Sequence, residues 1–194
     1  QGYIIANCQY RRDNDWGIPQ TTLCDVFDAI SYIGKLHAEF DFDPDKIIVM
    51  GHSAGGYLAL KSHRLLGASG AIVFPKLYIS LSGVLDLEWA SEKAVGDGAV
   101  SNLFNSNGGA DLKLSEFDNN EPHTGEIVFH GKEDATVPVA VSRNYVSSPQ
   151  GAAVIKYVEL SQAKHMTLTD PYSCAWQSIS REINDWVQRA TSNT

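Results

Sequence analysis

The residues best suited to chemistry lie in the stretch GHSAGG at positions 51–56, which follows an apolar run and precedes a helical pattern. A serine hydroxyl becomes an effective nucleophile when a sharp strand-to-helix turn lifts it clear of the backbone to meet a base. Gly51 and Gly55 lack the β-carbons that we expect to collide across such a turn. The N–H of Ala54 would point to the developing oxyanion, supported by the helix dipole. The pattern predicts a nucleophilic Ser53.

An acid and a histidine follow in the chain order that such a nucleophile requires. Asp134 lies just beyond an apolar run, within HGKEDATVP at positions 130–138, and His165 follows a later apolar run. Since catalytic sites of open α/β sheets lie at the carboxyl ends of the strands, we expect these residues to converge on Ser53. Asp134 would hold the His165 ring by its Nδ1–H. Nε2 would then take the Ser53 proton and return it to the leaving group.

Two other acidic residues compete with Asp134 for the role of the acid. Glu133 is adjacent, but its side chain would point a different way out of the turn. Asp86 follows an earlier strand end, where capping of a helix is the ordinary role of such a residue. The order and position of the strand therefore favour Asp134.

Five other histidines compete with His165 for the role of the base. His37 and His63 fall in helical patterns, as solvated or packing residues. His52 and His130 flank tight turns, where a histidine more often hydrogen-bonds to backbone than takes part in chemistry. The fifth, His123, lies in an irregular stretch and is a candidate for substrate contact instead.

That irregular stretch, residues 86–122, is rich in Gly, Ser, Asn and acidic residues. It is interpreted either as an insertion of short helices and loops over the site or as an ordinary surface excursion. Trp89 and Phe104 would line a pocket for an aromatic group, or else belong to the core. The predicted substrate-binding residues are His52, Trp89 and His123.

Short apolar runs alternate with segments of helical period, which predicts an α/β domain with a mostly parallel sheet. Apolar residues at spacings of three and four predict a helix from Thr22 to Phe40. A second helix is predicted after Gly51. A closing helix is predicted with Asp170 as its N-cap and Pro171 in its first turn. The predicted strands are Tyr3 to Cys8, Lys46 to Met50, Leu77 to Leu81, Glu126 to Phe129 and Ala153 to Leu160.

The composition predicts one soluble globular domain and excludes several classes of partner. The 194 residues are 43% hydrophobic, which supplies one sizeable core. The formal net charge of −8 argues against a broad basic face for nucleic acid or anionic lipid. No uncharged apolar run approaches the roughly 18 residues that span a bilayer.

Cysteine usage indicates neither a metal site nor a disulfide framework. Cys8, Cys24 and Cys174 are too few and too widely spaced for a zinc site of paired cysteines. We expect buried free thiols, with a Cys8–Cys24 bridge as the alternative. No metal or organic cofactor is implied by the sequence.

Taken together, these motifs resemble the α/β-hydrolase superfamily, in its esterase and lipase branch. That branch includes feruloyl and acetyl-xylan esterases, hormone-sensitive-lipase-like carboxylesterases and kynurenine formamidases. The resemblance covers nearly the whole chain and implies a mostly parallel sheet flanked by helices. The features that carry it are Tyr10-Arg11, Asp25, residues 43–47, GHSAGG, residues 82–87, HGKEDATVP and the His165 loop.

The chain departs from this family before Ser53, where no His-Gly-Gly type motif for the second oxyanion N–H occurs. By the resemblance, the run from Tyr3 to Cys8 is the fourth strand of the fold, and the third strand would lie between it and the nucleophile strand. Omitting a central strand would leave two rows of backbone groups unpaired. We therefore expect the natural protein to carry residues upstream of Gln1 that complete the sheet and the oxyanion hole.

The resemblance implies a serine hydrolase that cleaves a carboxylic ester of a small substrate through an acyl-enzyme on Ser53. An arylformamidase, which hydrolyses an activated amide, would share the triad and differ in its pocket. A non-catalytic binding module of the same fold is the alternative from another class, motivated by the missing oxyanion loop. The presence of all three triad residues favours the enzyme, because a lapsed enzyme has no need to keep them.

Overall fold

A computed structural model describes residues 2–12, 19–37, 39–68, 75–96, 98–101, 125–149 and 154–192. Its centre is a parallel sheet of four strands in chain order: β1 (Ile48–His52), β2 (Leu77–Leu81), β3 (Gly125–Gly131) and β4 (Val154–Leu160). The strands pair in the order of the sequence, from β1 to β4. All four carboxyl ends therefore meet at one edge of the sheet, where the motif residues follow β1, β3 and β4.

Among the residues that the structure describes, five helices connect and flank the strands. They are α1 (Pro19–Leu36), α2 (Ala54–Ala68), α3 (Leu87–Glu92), α4 (Ala140–Ser147) and α5 (Cys174–Ser192). Short 3₁₀ helices at Pro44–Lys46 and His165–Leu168 precede β1 and follow β4. The alternation of strand and helix confirms the predicted α/β class, and the four downstream strands agree with their predictions to within about two residues at each end.

The sheet is covered by helices on both faces. Tyr78 and Val128 point to one side, where they pack with apolar residues of α1, α2 and α4. Ile79 and Phe129 point to the other side, onto Ile179 and its neighbours in α5. Because successive side chains of a strand alternate between faces, β2 and β3 are buried along their whole length. The two central strands thus form a rigid support for the loops at their carboxyl ends.

The predicted first strand, from Tyr3 to Cys8, is not part of the sheet. These residues lie exposed, with Ile5 at 79% exposure, and the sheet has four strands among the described residues. β1 is correspondingly an open edge, where Met50 is 43% exposed. A strand needs a neighbour as well as an apolar pattern, and no described segment lies between this stretch and β1 to supply one.

Side-chain contacts at Tyr3 and Arg11 attach the exposed N-terminal residues to two helices. Tyr3 Oη donates to Asn184 Oδ1 on α5 at 2.8 Å. The Arg11 guanidinium pairs with Asp25 on α1 at 2.6 Å. Hydrogen bonds from Arg11 lower the pKa of Asp25 to about 2. This contact joins two positions that the sequence resemblance had identified separately.

Two further local predictions are wrong. The N-cap of α5 is Ser173, whose Oγ accepts from the Trp176 N–H at 2.9 Å, whereas Asp170 closes a preceding turn through the Tyr172 N–H. The three cysteines are free and exposed rather than buried, which also excludes the alternative Cys8–Cys24 bridge. A cysteine's burial depends on where its element packs, and its residue type does not determine that.

The predicted insertion falls mostly outside the described residues. Its described part includes α3, whose N-cap Asp86 accepts from the Trp89 N–H at 3.0 Å. Phe104 and His123 lie outside the described residues. Within the part of the chain that the structure describes, no helix is both long enough and apolar enough to cross a membrane.

Candidate active site

Ser53 occupies the turn between β1 and α2 in a strained backbone conformation. Its φ is +55°, in the left-handed region that residues with a β-carbon rarely adopt. Its N–H donates to the Leu81 carbonyl at 3.0 Å, which carries the β1–β2 pairing up to the turn. Its carbonyl accepts from the N–H groups of Gly56 and Tyr57, which starts α2. The chain therefore reverses sharply at Ser53, as the elbow motif predicts.

Close backbone approach at the elbow explains two of its glycines. A β-carbon on Gly51 would lie 1.9 Å from the Gly55 carbonyl oxygen, which confirms the prediction for Gly51. A β-carbon on Gly55 would find its nearest neighbour at 3.9 Å, so the same prediction is wrong for Gly55. The second crowded position is Gly56, where a β-carbon would lie 2.9 Å from the Cα of Gly83. Gly56 faces β2, whereas Gly55 faces away from it.

We expect Gly51→Ala to destabilise the fold by about 3 kcal/mol or more, because the added methyl group meets backbone that cannot rotate away. Gly55→Ala serves as the matched control, since it adds the same group where there is space. It should change stability by no more than about 1 kcal/mol, in the favourable direction that alanine gains over glycine in a helix. Urea unfolding of both variants measures the difference. Equal losses of stability would contradict this account of the elbow.

Asp134 is held in the turn that follows β3, with its side chain buried. One carboxylate oxygen, Oδ1, accepts from the N–H groups of Thr136 at 2.9 Å and Val137 at 2.8 Å. The other, Oδ2, accepts from His165 Nδ1 at 2.7 Å. The turn itself needs Gly131, where a β-carbon would lie 2.3 Å from the Ala163 carbonyl oxygen. Two backbone donors thus orient the carboxylate so that its remaining oxygen faces the imidazole.

The electrostatics of this carboxyl favour the ionised form. Burial acts to raise the pKa of Asp134, but hydrogen bonds from His165 and from the Val137 N–H outweigh it, and the pKa lies below its ordinary value. A carboxyl whose pKa is lowered by folding stabilises the folded state above its unfolded pKa of about 3.9. That contribution is lost as the pH falls through the lower, folded-state pKa.

His165 opens the 3₁₀ helix that follows β4. Hydrogen bonds between Lys164 and Thr167 close the first turn of this helix. Since the Asp134 carboxylate can only accept, the proton of the bond between them lies on His165 Nδ1. In the neutral imidazole, Nε2 then carries a lone pair. The pair formed by Asp134 and His165 therefore has the tautomer that a general base requires.

His52 packs directly against His165. The two rings have their centroids 4.4 Å apart, and His52 Nε2 is 2.9 Å from the His165 carbonyl oxygen, to which it must donate. Burial lowers the pKa of His52 and favours its neutral form. Ser53, the next residue, thus lies beside the His165 loop, although no hydrogen bond joins its hydroxyl to the imidazole among the described contacts.

The residues that compete with Asp134 and His165 for the catalytic roles occupy the structural positions predicted for them. Glu133 is exposed, and Asp86 caps α3. His63 lies next to the buried Glu126, with 3.4 Å between Nδ1 and Oε1. His130 is fully buried and binds the Val137 carbonyl at 2.8 Å.

The remaining predicted substrate residues receive less support. Trp89 is half-buried and packs against the core on the side of α1 and α2, whereas His123 lies outside the described residues. Ser142 was not predicted from the sequence; its hydroxyl is 2.7 Å from His130 Nδ1. Its only signal is a position four residues after the end of the HGKEDATVP motif. Among the described residues, no three His, Cys, Asp or Glu side chains are arranged to hold a metal ion.

This arrangement of sheet, helices and elbow is the α/β-hydrolase fold. Esterase B of Lactobacillus rhamnosis matches it with a TM-score of 0.75 at 15% identity, over 95% of this chain and 66% of that one. The esterase Est2 of Thermogutta terrifontis matches with a TM-score of 0.67 at 20% identity, over 92% and 68% of the two chains. These likenesses confirm the fold that the motifs predicted.

Sequence comparisons point to the same branch of the superfamily. The BD-FAE family model matches residues 1–70. The probable isoprenylcysteine alpha-carbonyl methylesterase ICMEL2 of Arabidopsis thaliana is 26% identical over 189 residues, covering 86% of this chain and 44% of that protein. The probable isoprenylcysteine alpha-carbonyl methylesterase ICME of Oryza sativa subsp. japonica is 24% identical, covering 88% of this chain and 46% of that protein. The chain thus spans somewhat less than half the length of these curated relatives, and its resemblance to the esterase branch is confirmed.

Proposed function

We propose that this chain carries the catalytic centre of a serine esterase that cleaves a carboxylic ester of a small substrate. The observation that carries the proposal is the 2.7 Å hydrogen bond from His165 Nδ1 to Asp134 Oδ2, held beside the elbow at Ser53. Acyl transfer by a serine needs a base whose tautomer is set by a buried acid, next to a nucleophile in a tight turn. The named esterases and methylesterases support ester hydrolysis as the reaction.

In the first step, Ser53 Oγ attacks the ester carbonyl carbon while His165 Nε2 takes the hydroxyl proton. The tetrahedral intermediate collapses, the bond to the alcohol oxygen breaks, and His165 returns the proton to that oxygen. Water then attacks the acyl-enzyme by the same route and releases the carboxylic acid. Asp134 remains ionised throughout and stabilises the imidazolium that forms in each half-reaction.

The oxyanion of the intermediate is assigned to the N–H of Ala54. As the first residue of α2, Ala54 has no intrahelical acceptor for this group, and the helix dipole favours negative charge there. No described residue is assigned as the second donor of the oxyanion hole.

For the substrate, an ester is favoured over a formamide because the curated relatives are named as methylesterases. His52, Trp89 and His123 remain the proposed substrate-binding residues. The His52 Nε2–H is engaged with the His165 carbonyl, so the Nδ1 lone pair is the group that His52 would offer to a substrate.

Labelling with a fluorophosphonate probe tests the nucleophile directly. We expect one equivalent of probe on the natural protein, with the modified peptide containing Ser53. Ser178→Ala serves as a control, because Ser178 Oγ bonds only within its own helix, to the Cys174 carbonyl, and this variant should label fully. Turnover of p-nitrophenyl acetate, methyl ferulate and N-formylkynurenine then separates esterase from formamidase. A folded protein that neither labels nor turns over any of them would refute the proposal.

A further inference from the structure

A second chain of hydrogen bonds lies next to Asp134. Ser142 on α4 has its Oγ 2.7 Å from His130 Nδ1, and His130 Nε2 lies 2.8 Å from the Val137 carbonyl oxygen. The same His130 Nε2 is 3.7 Å from Asp134 Oδ2, the oxygen that accepts from His165. Ser142 and His130 are both fully buried, and Val137 nearly so. Neither of the two hydrogen bonds of His130 involves a group that the proposed reaction uses.

The direction of each hydrogen bond follows from the chemistry of its acceptor. The Val137 carbonyl can only accept, so Nε2 of His130 carries the proton and Nδ1 carries the lone pair. The Ser142 hydroxyl must therefore donate to Nδ1. Burial lowers the pKa of His130, and the charged or titratable groups that act on it are Asp134, His165 and Glu159. The neutral ring with its proton on Nε2 satisfies both of its partners.

Val137 connects this chain to the acid. Its N–H donates to Asp134 Oδ1, while its carbonyl accepts from His130, so both backbone polar groups of Val137 are engaged. Without the Ser142 hydroxyl, Nδ1 of His130 would be an unpaired buried acceptor. The ring would also lose one of the two hydrogen bonds that fix its orientation toward the Val137 carbonyl. The turn that orients Asp134 would then lose its support.

We propose that Ser142 and His130 are positioning residues that set the turn presenting Asp134 to His165. The proposal rests on the proposed esterase function, since it assigns these residues to the orientation of the same acid. Its specific content is that the Ser142 hydroxyl fixes the orientation of the His130 ring and, through Val137, the direction of the Asp134 carboxylate.

The chain offers a matched control in the next turn of the same helix. Tyr145 Oη donates to Glu126 Oε2 at 2.9 Å, so it also joins α4 to β3 through a buried hydrogen bond. Both partners are buried, as Ser142 and His130 are. Glu126 lies at the opposite end of β3 from Asp134, so loss of this bond should lower stability without moving the acid.

Ser142→Ala is expected to lower kcat by about 10- to 100-fold with KM little changed, because it displaces the acid and leaves substrate contacts in place. Tyr145→Phe should keep kcat within about twofold, and Ser142→Thr, which keeps the hydroxyl, should restore turnover.

Amide hydrogen exchange provides a readout that does not require turnover. The Val137 N–H should exchange at least about tenfold faster in Ser142→Ala than in Tyr145→Phe. Equal exchange and equal kcat in the two variants would overturn the positioning role. If the wild-type protein has no esterase turnover but Val137 exchange responds as expected, the proposed function fails and the role of Ser142 in the turn stands.

Discussion

Replacing Ser53 with alanine is expected to lower kcat for an ester substrate by about 10⁴- to 10⁶-fold. The change removes the oxygen that would form the acyl-enzyme, and no other hydroxyl lies in the turn between β1 and α2. Alanine keeps the β-carbon at the same strained φ of +55°, so the free energy of unfolding should be little altered. Steady-state hydrolysis of p-nitrophenyl acetate, corrected for the uncatalysed rate, measures the loss.

A second substitution at the same position separates the chemistry from the backbone strain. Ser53→Gly also removes the hydroxyl, but glycine adopts a positive φ without the clash of a β-carbon. It should be as inactive as Ser53→Ala and more stable by about 1 kcal/mol in urea unfolding. Retention of more than about 1% of wild-type turnover in either variant would assign the nucleophile to another group.

Asp134→Asn is expected to lower kcat by about 10⁴-fold. Its effect follows from the two backbone N–H groups, of Thr136 and Val137, that donate to Oδ1. They hold the amide oxygen of the asparagine in the same place, so its NH₂ group faces His165 Nδ1. That nitrogen must then accept, the ring proton moves to Nε2, and the lone pair that would take the Ser53 proton is gone.

The adjacent acidic residue provides the control for this change. Glu133→Gln removes the same charge from an exposed position with no contact to His165, and it should leave kcat within about twofold of the wild type. Both variants should fold, because the turn keeps its acceptor for the two N–H groups. The assignment of Asp134 would be withdrawn if the two substitutions had similar effects on turnover.

Much of the site follows from local sequence alone. A run of apolar residues that enters GHSAGG predicts both β1 and the helix after it, because the strand, the turn and the helix are consecutive in the chain. The choice of Asp134 over Glu133 also depends on a local property of the chain, because the side chains of adjacent residues point in different directions from a turn. The Asp134–His165 hydrogen bond was expected because strands that run parallel end at one edge.

Other parts of the site depend on contacts between different elements or turns of the fold. The partners of His130 are Ser142 and Val137, and nothing in the composition of these segments indicates that the three would meet. His52 provides a second example, since its contact with His165 joins positions 113 residues apart. Gly56, rather than Gly55, has no space for a β-carbon, and this likewise depends on Gly83, which approaches the elbow from the end of β2.

The sequence by itself determined the positions of the four sheet strands, the turn at Ser53 and the pairing of Asp134 with His165. These features come from patterns within one element and the turn that ends it. Only the tertiary structure decided that Tyr3 to Cys8 is not a strand, that the cysteines are exposed, and that Ser142 is hydrogen-bonded to His130. Each of these depends on a neighbour, because backbone pairing, burial and buried hydrogen bonds are properties of two segments in contact rather than of either one alone.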